Sequence, residues 1–173
     1  MVRIQNSLLD KSDVKYIKEY ANFVLSRFVP KSVQKTALIK IKIVHPEDLD
    51  DDEYEDAKNV RAWCIYDGVI KDKRQFTIVL TYLRYNTKAV KPLTRMKKIL
   101  IDLGHELIHV KQYLNNEIFD YKNGFVRYKG EEFDDTYKTK LENYFESPWE
   151  IEAYGRELGL FRIYEQMKKR GDL

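Results

Sequence analysis

Cysteine is almost missing from the 173-residue chain, where Cys64 stands alone. One thiol excludes an internal disulfide and any zinc site built on several cysteines, and it points to a reducing place of synthesis. Glycine and proline are scarce too, at 7 and 4, which excludes a collagen-like or linker-dominated chain. No apolar run approaches the roughly 20 residues of a membrane span; residues 77–83 are among the longest. The N-terminal MVRIQNSLLDK has no sustained apolar stretch followed by a small-residue cleavage site, so no secretory signal is expected. Neither sign of charge dominates: 31 Lys+Arg face 28 Asp+Glu, a net of +3. That balance gives no electrostatic case for binding nucleic acid. Together these absences predict a cytoplasmic protein with no membrane and no nucleic-acid partner.

What is present suits one folded domain over 1–173. Apolar residues make up 43% and aromatics 13% of the chain, enough for a core. There is no internal repeat and no Ser/Gly-rich linker. Val14, Ile17, Ala21, Val24, Leu25 and Phe28 recur at helical spacing, with Ser12 or Asp13 as cap and Pro30 as stop. Residues 37–44 alternate as a half-buried strand ended by Pro46. Residues 47–56 hold eight acids in ten positions and read as a solvated loop or frayed helix. Residues 60–66 and 75–82 read as an antiparallel hairpin with a longish charged loop. A long helix starts at Pro92 and runs to about Asn115, and residues 117–140 read as a loop with a short hairpin. A last helix follows Ser147-Pro148, with Ser147 as cap, and runs to about Lys169. The basic cluster Lys91, Arg95, Lys97 and Lys98 reads as solvated first turns of the long helix.

Histidine is rare as well, and two of the 3 fall in one motif, His105-Glu106-Leu-Ile-His109. Positions i and i+4 share a helix face, so His105 and His109 can bind one Zn²⁺ through their imidazoles. Glu106 adjoins the first of them, placed to take a proton from the water that such a site activates. Met96, Ile99, Leu100, Leu103, Leu107, Val110 and Leu114 form an apolar stripe centred opposite the two histidines. One face is thus for the core, and the other, with His105, His109 and Gln112, is for something else. A catalytic zinc needs a third protein ligand. His45 is the only spare histidine, and the downstream carboxylates Glu146, Glu150, Glu152 and Glu157 are the better candidates.

His105-Glu-Leu-Ile-His109-Val-Lys-Gln112, followed by Pro148-Trp-Glu150-Ile-Glu152-Ala153-Tyr154, resembles small gluzincin-type zinc metallopeptidases. The likeness is to minigluzincin-sized proteins and to HExxH proteins often found in bacteriophage genomes, and it covers about residues 75–165. It implies two histidines and a glutamate of a later helix on zinc, and a location in a host cytoplasm or a virion. The family's later motif commonly reads E-x-x-A-D. Here Tyr154 stands where the Asp would support a zinc-binding histidine, and Asp102 is a substitute one turn before His105. The family's edge strand, which pairs with extended peptide, maps onto residues 75–82.

On the last helix, at about 100° per residue, Ala153, Tyr154, Phe161 and Tyr164 make an inward arc that contains Glu150. A buried carboxylate calls for a cation, so Glu150 is the expected third ligand. Glu152 falls beside Arg156 on the expected solvent face. Glu157 points inward two turns further on, as a supporting acceptor or cleft wall. Among the tyrosines, Tyr128, Tyr137, Tyr144 and Tyr154 are candidates to stabilise an oxyanion. The fold expected is zincin-like α+β: a small, mostly antiparallel sheet packed against the long HExxH helix and the C-terminal helix. The function expected is a zinc-dependent peptidase acting on a peptide or protein substrate, with Glu106 as general base and zinc on His105, His109 and Glu150. The alternative is a non-catalytic virion or host-interaction protein with a structural zinc.

Overall fold

The computed structural model describes residues 1–6, 8–45, 47, 49, 60–81 and 92–173. Most of the acidic run, with Pro46, Tyr82 and Lys91, lies outside these residues. The chain begins with strand β1 (Val2–Asn6), helix α1 (Lys11–Phe28), a short α2 (Lys31–Gln34) and strand β2 (Ala37–Val44). Asp10 caps α1, its carboxylate accepting from the backbone N–H of Ser12 and Asp13; neither of the expected caps does so. Strands β3 (Ala62–Ile70) and β4 (Lys73–Thr81) follow.

These four strands form one sheet in the order β1-β2-β4-β3. β1 pairs parallel with β2, β2 parallel with β4, and β3 antiparallel with β4. The main sheet is therefore mixed, which corrects the expectation of a mostly antiparallel one. The cause lies in the connections: α1 carries the chain from one end of the sheet to the other, which is what a parallel pair requires. The turn between β3 and β4 is also tighter than expected. Lys71 and Asp72 both have positive φ, 50° and 59°, the geometry of a two-residue hairpin turn, so most of the residues read as loop belong to the strands.

β2 shows the period-two burial expected of it, with Ala37, Ile39, Ile41 and Ile43 inward. β4 does not alternate. Flanked on both sides, it buries Gln75 and Thr77 as well as Phe76, Ile78 and Leu80. Residues 75–81 are thus not an edge, contrary to the sequence expectation for 75–82, whose last residue lies outside those described. Among the described residues the edge strands of this sheet are β1 and β3, and β3 is the one beside β4.

Helix α3 (Pro92–Leu114) lays its stripe on this sheet and on α1: Ile99, Leu100, Leu103, Leu107 and Val110 are at most 1% exposed. Its opposite face is covered by the last helix, α6 (Pro148–Arg170). Pro148 sits in the first turn as expected, but Ser147 does not cap with its side chain; its hydroxyl donates to the Tyr144 carbonyl. Gly104 lets α1 approach α3, since a Cβ there would stand 2.6 Å from the Tyr20 hydroxyl oxygen.

Residues 117–140 hold more structure than a loop with one hairpin. β5 (Ile118–Asp120), β6 (Val126–Tyr128) and β7 (Glu131–Phe133) make a second, antiparallel sheet, and the short helices α4 (Thr136–Thr139) and α5 (Leu141–Glu146) lead to α6. This sheet packs Ile118, Val126 and Tyr128 around Trp149 at the start of α6. Among the described residues no helix is long and apolar enough to cross a membrane.

Candidate metal centre

The site lies where α6 crosses α3. One turn separates His105 and His109 on α3, and Glu150 comes from the first turn of α6. A donor atom from each of the three lies within 4.8 Å of the others. His105 Nε2 is 3.2 Å from His109 Nε2, while the Glu150 oxygens lie 3.1 Å from the first and 3.3 Å from the second. A tetrahedral ion with bonds of about 2.0 Å has ligand–ligand edges of about 3.3 Å, so the donor set fits such an ion.

The outward nitrogens are held too. His105 Nδ1 is 3.0 Å from Glu157 Oε2, and His109 Nδ1 is 3.0 Å from Gln112 Oε1. A carboxylate accepts only, so His105 Nδ1 is the donor there. Gln112 is wholly buried, and its amide nitrogen donates to the Trp149 carbonyl at 2.9 Å and to Glu152 Oε2 at 3.2 Å. Those two acceptors fix the amide orientation and leave its oxygen for His109. With both Nδ1–H groups spent, the two Nε2 atoms and the Glu150 carboxylate face one point as acceptors, which is a place for a cation or for protons.

The charges agree with that reading. Burial by itself lowers the His105 pKa, but Glu150, Glu157 and Glu106 outweigh it and hold it near 10. Burial likewise works against the charge on Glu150, yet the two histidines keep its carboxyl down at about 2. Glu106 is buried beside the cluster, and burial raises its carboxyl above the usual range against the pull of His109 and His105.

A cavity of about 520 Å³ opens onto the centre, lined by Glu106, His109 and Glu150 together with Trp63, Cys64, Tyr113, Tyr144 and Trp149. Of the four tyrosines singled out from sequence, only Tyr144 is on this wall. Tyr154 packs its ring on His105 with centroids 4.4 Å apart, Tyr128 donates to Glu152, and Tyr137 packs on Trp149.

The remaining candidates fall elsewhere. His45 lies beside Glu47, 3.6 Å away. Asp102 faces Arg61 at 2.9 Å and gives His105 no support; Glu157, one turn beyond Tyr154, takes that place. Glu152 is not on a solvent face. Its side chain is 10% exposed and binds Lys111, Tyr128, Gln112 and Arg156, because the second sheet covers that side of α6. The cavity walls Trp63 and Cys64 carry no motif and emerge only from packing, and Trp149, although it lies within the second motif, was not singled out as a wall. Comparison with protein-family models, curated proteins and solved structures finds no match for this chain.

Proposed function

We propose that the protein is a single-domain, zincin-like, zinc-dependent peptidase, similar to small gluzincins. One observation carries the reading: a cation-shaped set of three donors meets a cavity on whose wall a buried carboxylate, Glu106, stands. His105, His109 and Glu150 would hold the ion, and two imidazoles with one carboxylate suit zinc. When bound, zinc polarises a carbonyl and lowers the pKa of water to about 7.

The chain supplies the rest. Glu106 accepts the proton of the attacking water and passes it to the leaving amine; its raised pKa suits both roles. Tyr144, whose backbone carbonyl is anchored by Ser147 N–H and hydroxyl, lines the cavity with its own hydroxyl hydrogen-bonded to Glu150, from where it can serve a developing oxyanion. The free edge of β3, which contributes Ala62, Trp63 and Cys64 to the wall, aligns an extended peptide backbone across the cavity. A structural zinc is usually closed by four protein ligands. Here three are present among the described residues and the fourth direction is open, which favours catalysis. The lone Cys64 supports a reducing compartment such as the cytoplasm.

The test is Glu106→Gln, assayed for zinc by elemental analysis and for cleavage of a peptide library. The variant should keep the wild-type zinc content and lose 10²-fold or more of the turnover, about the range of general-base removal. Equal turnover would refute the role of Glu106. Zinc in the wild type without any cleavage would leave the structural reading.

A further inference from the structure

A second cavity, of about 500 Å³, adjoins the one at the metal centre. It is lined by Tyr66 and Val69 of β3, Arg74, Asn116 and Phe119. Tyr113, Ile118 and Asp120 line both cavities, so they form the wall between the two. That wall is fixed: the Tyr113 hydroxyl donates to the Asp120 carboxylate, and its ring stacks on Tyr66 with centroids 5.0 Å apart.

The strand that runs past both is unusual for an edge. Ala62–Ile70 reads AWCIYDGVI, with one charge in nine residues, in a chain that is 34% charged. Edge strands are normally protected by charges or prolines against pairing with other chains. This one has neither in residues 62–66. Its one interruption is a bulge between Tyr66 and Gly68, which ends the regular backbone register where the second cavity begins. Beyond it the second cavity keeps apolar groups in water: Val69 is 65% and Phe119 50% exposed. Trp63 at the first cavity and Val69 at the second are six positions apart, about 20 Å of extended chain at about 3.3 Å per residue.

We propose that the two cavities are successive subsites of one groove, and that the substrate is an extended, unfolded polypeptide segment of at least about six residues with an apolar side chain for each. This rests on the peptidase reading above and makes the protein an endopeptidase of unstructured chain. Residues 62–66 pair with the substrate backbone. Val69 and Phe119 then take an apolar side chain on the far side of the Tyr113–Asp120 wall.

Fluorescence anisotropy tests this with acetylated, amidated peptides of about four and about ten residues carrying leucine at alternate positions, bound to the full chain with Glu106→Gln so that the probe is not consumed. Filling the second subsite buries one more apolar side chain, so the longer peptide should bind about tenfold tighter or better. Val69→Lys, at an exposed position, should bring the ratio of the two affinities close to one. Equal affinity at both lengths, or a ratio that Val69→Lys does not move, overturns the proposal. So does a wild type that dimerises through β3, becomes monomeric on Ile65→Lys and binds neither peptide. Because the readout is binding, a groove that binds as expected in a protein that cleaves nothing would separate a failure of the peptidase reading from a failure of this one.

Discussion

At the level of single side chains, the amide of Gln112 has two orientations to choose from, and its neighbours choose for it. Trp149 and Glu152 both accept, so the nitrogen turns to them and the oxygen to His109 Nδ1. The acceptor leaves His109 Nε2 turned to His105 and Glu150, where the proposed ion would sit, and losing such a partner typically costs 10–100-fold in metal affinity. Gln112→Met keeps the length and removes the acceptor, so zinc should bind about 10–100-fold more weakly in competition with a chelator. Gln112→Glu keeps an acceptor but loses both donor bonds to α6. If orienting His109 is the role, the Glu variant binds zinc more tightly than the Met variant. The reverse order would mean that the amide serves only to bridge the helices. His105, His109 and Glu150 were legible in the sequence because helical periodicity alone puts two histidines on one face and a carboxylate inside an apolar arc. Glu152 was not. A helical wheel marks its side as polar and hence as solvent, whereas Lys111, Tyr128 and Arg156 pair with the carboxylate and let the second sheet cover it.

Between elements, the closest approach to be tested is that of α1 to α3. Tyr20 is fully buried, and its hydroxyl, with no hydrogen-bond partner among the described residues, points at Gly104. Glycine in a helix interior costs up to about 1 kcal/mol relative to alanine, so its presence in the helix that carries His105 and His109 needs a reason, and contact with Tyr20 is that reason. Gly104→Ala should destabilise the protein by about 1–3 kcal/mol, the usual range for overpacking, read as a lower denaturant midpoint. Tyr20→Phe removes the clashing oxygen and leaves the nearest ring atom at 3.6 Å. In that background Gly104→Ala should change sign and stabilise, through the gain in helix propensity. Destabilisation of equal size in both backgrounds would show that something other than Tyr20 sets the limit. The long helices were legible here because periodicity and Pro92 and Pro148 mark them locally, whereas the left-handed Gly171 that ends the last one was not singled out. Strand order was not, because it is a property of pairing between distant segments. β4 is the more buried strand of the hairpin for being central, although β3 is the more apolar in sequence, and sequence alone does not say which of the two has a neighbour on its other side.

Across the whole molecule, the proposed ion would do more than chemistry, because its ligands come from two helices that each anchor a different part of the fold. His105 and His109 belong to α3, which backs the main sheet, and Glu150 belongs to α6, whose Trp149 anchors the second sheet. An ion held by all three therefore ties the two hydrophobic clusters together at their junction. In the absence of an ion, the same place is served by protons between the histidines and Glu150, a buried arrangement that holds together on His105–Glu150 and His105–Glu157 pairing. The metal-free protein should accordingly fold, unlike small domains whose core is too small without zinc. A ligand that binds only the folded state adds about 2.7 kcal/mol at a free concentration of 100 times its Kd. Removing the metal with a strong chelator should then lower Tm by several degrees while leaving the far-ultraviolet circular dichroism at 20 °C close to that of the loaded protein. Zinc added back in excess should restore the loss in the wild type and fail to do so in Glu150→Ala, which leaves α6 without a ligand. In Glu152→Ala the restoration should persist, although the starting Tm is lower because Lys111 loses a buried partner. Restoration by zinc in Glu150→Ala and not in Glu152→Ala would place the ion on the other carboxylate and require α6 to turn relative to α3.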